Sequence, residues 1–236
     1  MAKTVGYACS TKLQWLNKAV DLLSENLNEA EYKKALNEYL AFEIDGETRL
    51  RKTREILMRM WFYEDERLLR FRERGLALIK ENSDNAPLVH LCLTYLSYPV
   101  VSDICKYMGK LFEFQDEITT PMLKLKLYDE WGERGTLEST ARRVTLTLKE
   151  LGFLVNESRT RYKVKKTAVK NAEAIDYLIT TAMTIDGGSY YPFSSLNEFP
   201  FLFPFSYKVT KEQLLENEDY TLATFDSTLS VSLKNA

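Results

Sequence analysis

At 236 residues and 27.4 kDa, the chain has room for one large domain or a few small modules, against a typical ~150 residues per domain. Its composition is 45% hydrophobic, 28% charged and 12% aromatic with few Gly or Pro, which excludes a collagen, a disordered polar chain and a disulfide miniprotein. The formal charge is −2, so an acidic partner such as nucleic acid has to be met by a local patch.

Residues 1–14 hold no apolar core followed by a small-residue cleavage site, so no signal peptide is expected. The most apolar stretch, residues 88–101, carries His90 and Pro99 and falls short of the ~20 residues a membrane helix needs. Cys9, Cys92 and Cys105 form no C-x-x-C pair and read as reduced, mostly buried thiols of a cytoplasmic protein. His90 is the only histidine, so any Ser-His-Asp, Cys-His or zinc site would have to be built on it. Inside the apolar run Pro87 to Leu93 it reads instead as a packed or rim side chain. No cofactor or metal is expected.

The first half reads as helices. Ser10 is placed to cap a helix over residues 10–25 with Leu13, Leu16, Val20 and Leu23 on its apolar face. Asn28 caps a second, to about Phe42, which Asp45-Gly46 ends. Helices over residues 47–62, 65–80 and 87–98 follow, the last with Pro87 in its first turn. Beyond Pro99 the pattern is helical again to Phe112.

Thr120-Pro121 reads as a cap and first turn, opening a helix that carries Leu123, Leu127 and Trp131 and stops at Gly132. After Glu133-Arg134-Gly135, Thr136 is placed to cap the next helix. Its Leu137, Ala141, Val144, Leu148 and Leu151 fall within about 40° of one line at 100° per residue, a narrow core-facing stripe. Gly152 ends it. Phe153 to Val155, a polar turn over residues 156–160, and the alternating Arg161 to Lys166 read as a β-hairpin. Residues 168–184 read as a helix, and Gly187-Gly188 as a turn. The aromatic run over residues 190–205 is expected to wrap irregularly over a core, before a short helix and one or two strands.

Helix, short turn, helix, hairpin is the order of a winged helix-turn-helix. Between positions 142 and 170, nine cations face two acids, Glu150 and Glu157, leaving +7 in a chain of net −2. Ser139, Arg142, Arg143 and Lys149 lie on the outer face of the second helix, where guanidiniums can read guanine and hydroxyls can hold phosphates. Arg159, Arg161, Lys163, Lys165 and Lys166 would follow the backbone of the duplex, where affinity comes from counterion release. Leu146, opposite the core stripe, is expected to pack against something else. The competing reading is a solvated cationic face on a structural hairpin. A second basic run, Arg49, Arg51, Lys52 and Arg54 with Arg59, reads either as a secondary DNA contact or as a face salt-bridged to Glu64, Asp65, Glu66 and Glu73.

The chain resembles the BrxA family, small components of the BREX phage-defence systems of bacteria and archaea. The likeness rests on the Arg-rich third helix over residues 49–61 and the apolar helices over residues 88–112. It continues through Trp131, Ser139-Thr140-Ala141-Arg142-Arg143 and Leu148-Lys149-Glu150-Leu151-Gly152-Phe153-Leu154 to the aromatic residues 199–205 before a β-like tail. The resemblance implies an accessory DNA-binding protein without enzymatic activity, working beside other defence-system proteins.

The expected fold is mainly α: a helical region over residues 1–115, a winged-helix-like DNA-binding centre over 116–170, and a small α+β element over 171–236. The expected partners are double-stranded DNA and other defence-system proteins, with no membrane and no small-molecule substrate. A protein-docking scaffold using the basic hairpin and the aromatic tail is the alternative. An enzyme ranks last, because the carboxylate pairs Asp116/Glu117 and Asp129/Glu130 are sequence neighbours that would diverge on a helix.

Overall fold

A computed structural model of the chain describes residues 6–133, 135–225 and 228–234. Residues 1–5 of the segment expected to carry no signal peptide, Arg134 of the turn before the second central helix, and residues 226–227 of the tail lie outside this range.

Helix α1 spans Leu13–Leu23, and α2, Glu29–Ala41, begins with a full capping box between Asn28 and Glu31. Gly46, at φ 89°, turns the chain through a conformation that a side chain disfavours. Helix α3, Glu47–Trp61, starts directly after it. Asp65 caps α4, Glu66–Glu81, and a 3-10 turn at Ser83–Asn85 leads into α5, Ala86–Ser97. The residue before a proline avoids helical geometry, so Tyr98 turns extended and the apolar run continues as α6, Pro99–Phe112, at 115°.

A strand absent from the sequence reading follows: β1, Glu117–Thr119. Then come α7, Thr120–Trp131, α8, Gly135–Glu150, β2, Leu154–Ser158, and β3, Arg161–Val164. These strands form an antiparallel sheet of order β1-β3-β2. The two-residue β4, Thr167–Ala168, precedes α9, Ala172–Asp186, whose N-terminus Asn171 caps. The remainder is β5, Tyr191–Pro192, β6, Phe205–Ser206, α10, Lys211–Glu216, and the hairpin β7, Tyr220–Phe225, with β8, Thr228–Leu233. The protein is mainly helical with small sheets.

Three caps differ from expectation. Lys12, without a side-chain bond, precedes α1, because residues 7–11 run extended against α8 instead of joining the helix. Thr119, held extended by β1, accepts the Met122 N–H and caps α7 in place of Thr120. Thr136 lies inside α8, which begins at Gly135. The hairpin turn is also tighter than read, with only Arg159 and Thr160 between the strands.

One contiguous apolar core draws on all three sequence regions. The α8 stripe, Leu137, Ala141, Val144, Leu148 and Leu151, is buried in it. Burying a Leu or Val side chain contributes about 1.5–3 kcal/mol, so this stripe is what seats α8. The aromatic segment wraps the core as expected: Phe203 stacks on Phe112 and Phe205 meets Phe153 edge-on. Gly109 lets this segment approach α6, since a Cβ there would stand 1.9 Å from the Pro200 carbonyl oxygen. Among the described residues no single helix is long and apolar enough to cross a membrane.

Candidate nucleic-acid interface

Helix α8 presents three sides. Its stripe faces the core. On a second side, Thr140 and Thr147 are buried, and residues 7–11 lie over Thr147. Tyr7 is the anchor. Its hydroxyl stands 3.0 Å from both Thr11 Oγ1 and Thr147 Oγ1, and the Thr11 N–H donates to Thr147 Oγ1 at 3.0 Å. Desolvation pushes the Tyr7 phenol up to about 12. Arg143 Nη1 donates to the Tyr7 carbonyl at 3.2 Å, so this guanidinium has a structural anchor as well as an exposed part.

The third side faces solvent. Arg142 and Glu150 are exposed, while Ser139 and Lys149 are half-buried. Ser139 Oγ donates to the Thr136 carbonyl. Leu146 remains 39% exposed at the centre of this side, so the packing expected for it is only partial. Glu138, at the edge, pairs with Lys124 of α7 at 2.8 Å.

Beside this face runs a groove of ≈ 620 Å³, between residues 8–10, the start of α3 and α8. Arg49 and Lys52 line one wall, and Arg142, Arg143 and Leu146 the other. A smaller recess of ≈ 430 Å³ continues past Lys52 to Arg51 and Tyr98. The two basic runs read separately in the sequence are thus one neighbourhood. Among the described residues no ion pair ties Arg49, Arg51 or Lys52 to Glu64, Asp65, Glu66 or Glu73. Asp65 pairs with Arg67 instead, and Arg59 lies 5.1 Å from the Tyr98 ring.

The hairpin is less cationic than its sequence. Strand β1 brings Glu117 opposite Lys163, at 3.1 Å between charges, and within 3.7 Å of Arg161. Glu157 adds a second carboxylate 3.4 Å from Lys163. The hydrogen bonds that Lys163 donates to Glu117 and Glu157 push its ammonium above the usual range. Two cations therefore meet two acids on this outward face, and the local charge is zero. Arg159, exposed at the tip, has no ion-pair partner among the described residues.

The patch counted over positions 142–170 is also not one surface. Lys165 and Lys170 line a separate cavity of ≈ 560 Å³ with Asn82, Asp84 and Asn171. Lys166 borders an aromatic recess with Glu113 and Phe203. Continuity along the chain implied contiguity in space, and the turn after β3 breaks it.

His90 is a packing residue. It is fully buried, its Nε2 is 2.9 Å from Asn17 Oδ1, and it meets Trp61 edge-on. Burial holds the imidazole down to about 3. Cys92 and Cys105 are fully buried, with thiols pushed up to about 12 by desolvation. Cys9 is half-buried on the groove.

The sequence reading missed Tyr7, Thr11 and Thr147, and it placed Glu117 on a helix, whereas it lies in β1 opposite Lys163. Tyr7 and Thr11 meet Thr147 across more than a hundred positions and carry no local signal. For Glu117 the β-branched Ile118-Thr119-Thr120 before Pro121 is a hint of a strand, but three paired residues are too few to show alternation. Comparison with known protein families, with curated proteins and with solved structures gives no match.

Proposed function

We propose that the protein binds double-stranded DNA with little sequence preference, as a non-enzymatic, cytoplasmic accessory component of a BREX-type antiphage defence system. One observation carries the DNA reading: the order α6–β1–α7–α8–β2–β3, with the sheet ordered β1-β3-β2. This is the order of a winged helix-turn-helix, in which the helix equivalent to α8 enters the major groove and the hairpin reaches the flanking backbone. The solvent side of α8 carries Ser139, Arg142 and Lys149, residue types suited to such a contact. The BREX context rests on the resemblance to BrxA and on the quoted stretches alone.

In this reading α8 approaches the duplex with Arg142 and Lys149, while Arg143 is steadied by the Tyr7 carbonyl. Arg159 reaches a phosphate from the wing tip. Arg161 and Lys163 contribute little, because Glu117 and Glu157 already neutralise them. About four phosphate contacts, at about −0.9 each, give a log–log salt slope near −3.6 from helix and wing. Phosphate contacts position without reading bases, so unrelated duplexes should bind alike.

The test is fluorescence anisotropy with labelled duplexes of equal length and unrelated sequence, across a salt series. Similar affinities and a slope at least this steep support DNA binding. Weak binding that competitor polyanions abolish would hand the basic surface to a protein-docking role.

A further inference from the structure

The groove between α3, residues 8–10 and α8 brings together two cationic runs that belong to different parts of the chain. From it we infer a phosphate cradle for the DNA backbone that extends the contact of α8 to Arg49 and Lys52 of α3; the inference rests on the DNA-binding reading. Four cations line this groove, Arg49, Lys52, Arg142 and Arg143, against one carboxylate, Glu47. Arg49 and Lys52 stand three residues apart on α3 and so share a face. No ion pair among the described residues engages Arg49, Lys52 or Arg142, and all three are exposed.

Its floor is built. Residues 8–10 are held between Tyr7 and Thr11, both locked to Thr147 inside the protein. Arg143 is fixed to the same segment through the Tyr7 carbonyl. The floor and Arg143 therefore pay little ordering entropy when a ligand arrives, which leaves that cost to Arg49, Lys52 and Arg142. Gly46 leaves the first turn of α3 without a side-chain cap, and Thr48 adds a hydroxyl. Free N–H groups at a helix start favour an anion, which adds to the cations here.

The occupant fits a polyanion better than a compact one. The groove opens past Lys52 toward Arg51, where Glu55 is already held by Arg54, so the remaining cations form a row along which a chain of phosphates can lie. A strand leaving the outward face of α8 at Arg142 would enter this row directly. The protein then touches the duplex on two sides of α8: at the wing, through Arg159, and at the cradle, through Arg49 and Lys52.

Cys9 lines the groove, whereas Cys92 and Cys105 are fully buried, so a maleimide reports on Cys9 in the native protein. The experiment measures Cys9 modification by N-ethylmaleimide with and without a duplex whose bound fraction is followed by anisotropy. The expected result is slowing in proportion to that fraction. In parallel, Arg49→Ala/Lys52→Ala should flatten the salt slope by about 1.8, two contacts at about 0.9 each. Arg49→Lys/Lys52→Arg should retain it, and an unchanged melting temperature shows that each variant folds. A duplex that binds but leaves both Cys9 reactivity and the slope of the alanine variant unchanged overturns the cradle and leaves the helix–wing contact standing. Failure of the wild-type protein to bind any duplex overturns the DNA reading itself, and the cradle with it.

Discussion

The Tyr7 hydroxyl stands 3.0 Å from Thr147 Oγ1 across 140 positions of the chain, and through it the first described residues are fastened to α8. Thr147 also accepts the Thr11 N–H, so one buried hydroxyl serves two partners. Thr147→Val keeps the shape and removes the acceptor, leaving a buried N–H unpaired, at a cost of about 1–3 kcal/mol. Tyr7→Phe should cost about 1 kcal/mol, the net worth of an ordinary hydrogen bond. Urea denaturation of both single variants and the double variant checks this. Because the two residues share one network, the double variant should lose less than the sum of the singles, and strict additivity would refute the coupling.

Leu148 and Arg142 sit on opposite sides of the same helix. Leu148→Asp places an unpaired charge in a fully buried position and should cost several kcal/mol, enough to unfold a protein of ordinary stability. Arg142→Ala removes an exposed side chain and should leave the melting temperature unchanged. It should weaken duplex binding on every sequence tested, and alter sequence preference only if Arg142 reads a base edge. Equal melting losses for the two variants would mean that the helix is rotated relative to the structure.

Glu117 restrains the wing. Glu117→Gln keeps the size of the side chain and releases Arg161 and part of the hold on Lys163. Such exposed pairs are worth about 0–1 kcal/mol, so stability should barely change. Duplex affinity should rise at low salt, with a slope steeper by up to about 1.8 if both cations gain a phosphate. An affinity equal to wild type would show that β3 does not approach the backbone.

Stability should fall at both ends of the pH scale. The folded protein holds His90 at about 3, below the ordinary 6.5, so the unfolded chain binds a proton first. The contribution of a neutral His90 is complete above pH 6.5 and is lost as pH falls toward 3, at up to about 1.4 kcal/mol per unit. At the alkaline end, Cys92 and Cys105 are raised from 9 to about 12, and Tyr7 from 10 to about 12. Their contribution is present below pH 9 and declines as pH rises to 12. Urea midpoints across pH 4–8 for wild type and His90→Gln test the acid limb. The variant should lose the slope, and an identical slope would assign it to other groups.

What the sequence disclosed was whatever repeats locally. The 4-3-4-3 spacing from Leu137 to Leu151 names the buried face of α8 correctly, and Asn28, Gly46 and Pro99 mark real boundaries because caps and breakers act on their immediate neighbours. The arms of the hairpin were visible in the alternation of Arg161 to Lys166. Pairing is another matter. Nothing near Lys163 reveals that Glu117 lies across from it, nothing near Arg142 reveals Lys52, and nothing near Ser10 reveals that Thr11 serves α8 instead of α1. A charge count along the chain measures composition; a binding surface depends on which charges the fold leaves unpaired and side by side.

The contact of the aromatic segment with α5 and α6 bears on how the protein is made. Tyr95 donates to the Phe201 carbonyl across 106 positions, and Pro200 closes over Gly109. During synthesis the apolar faces of α5 and α6 therefore emerge long before the residues that cover them. A chain synthesised as far as the wing has all three strands of the β1-β3-β2 sheet in its sequence, yet lacks the residues that cover the side of α6 destined for Pro200. Closure of these helices is deferred to the last part of translation, a sequence-distant contact of the slow-forming kind. Until then the nascent chain depends on chaperones, or on its own speed of completion, to avoid aggregation.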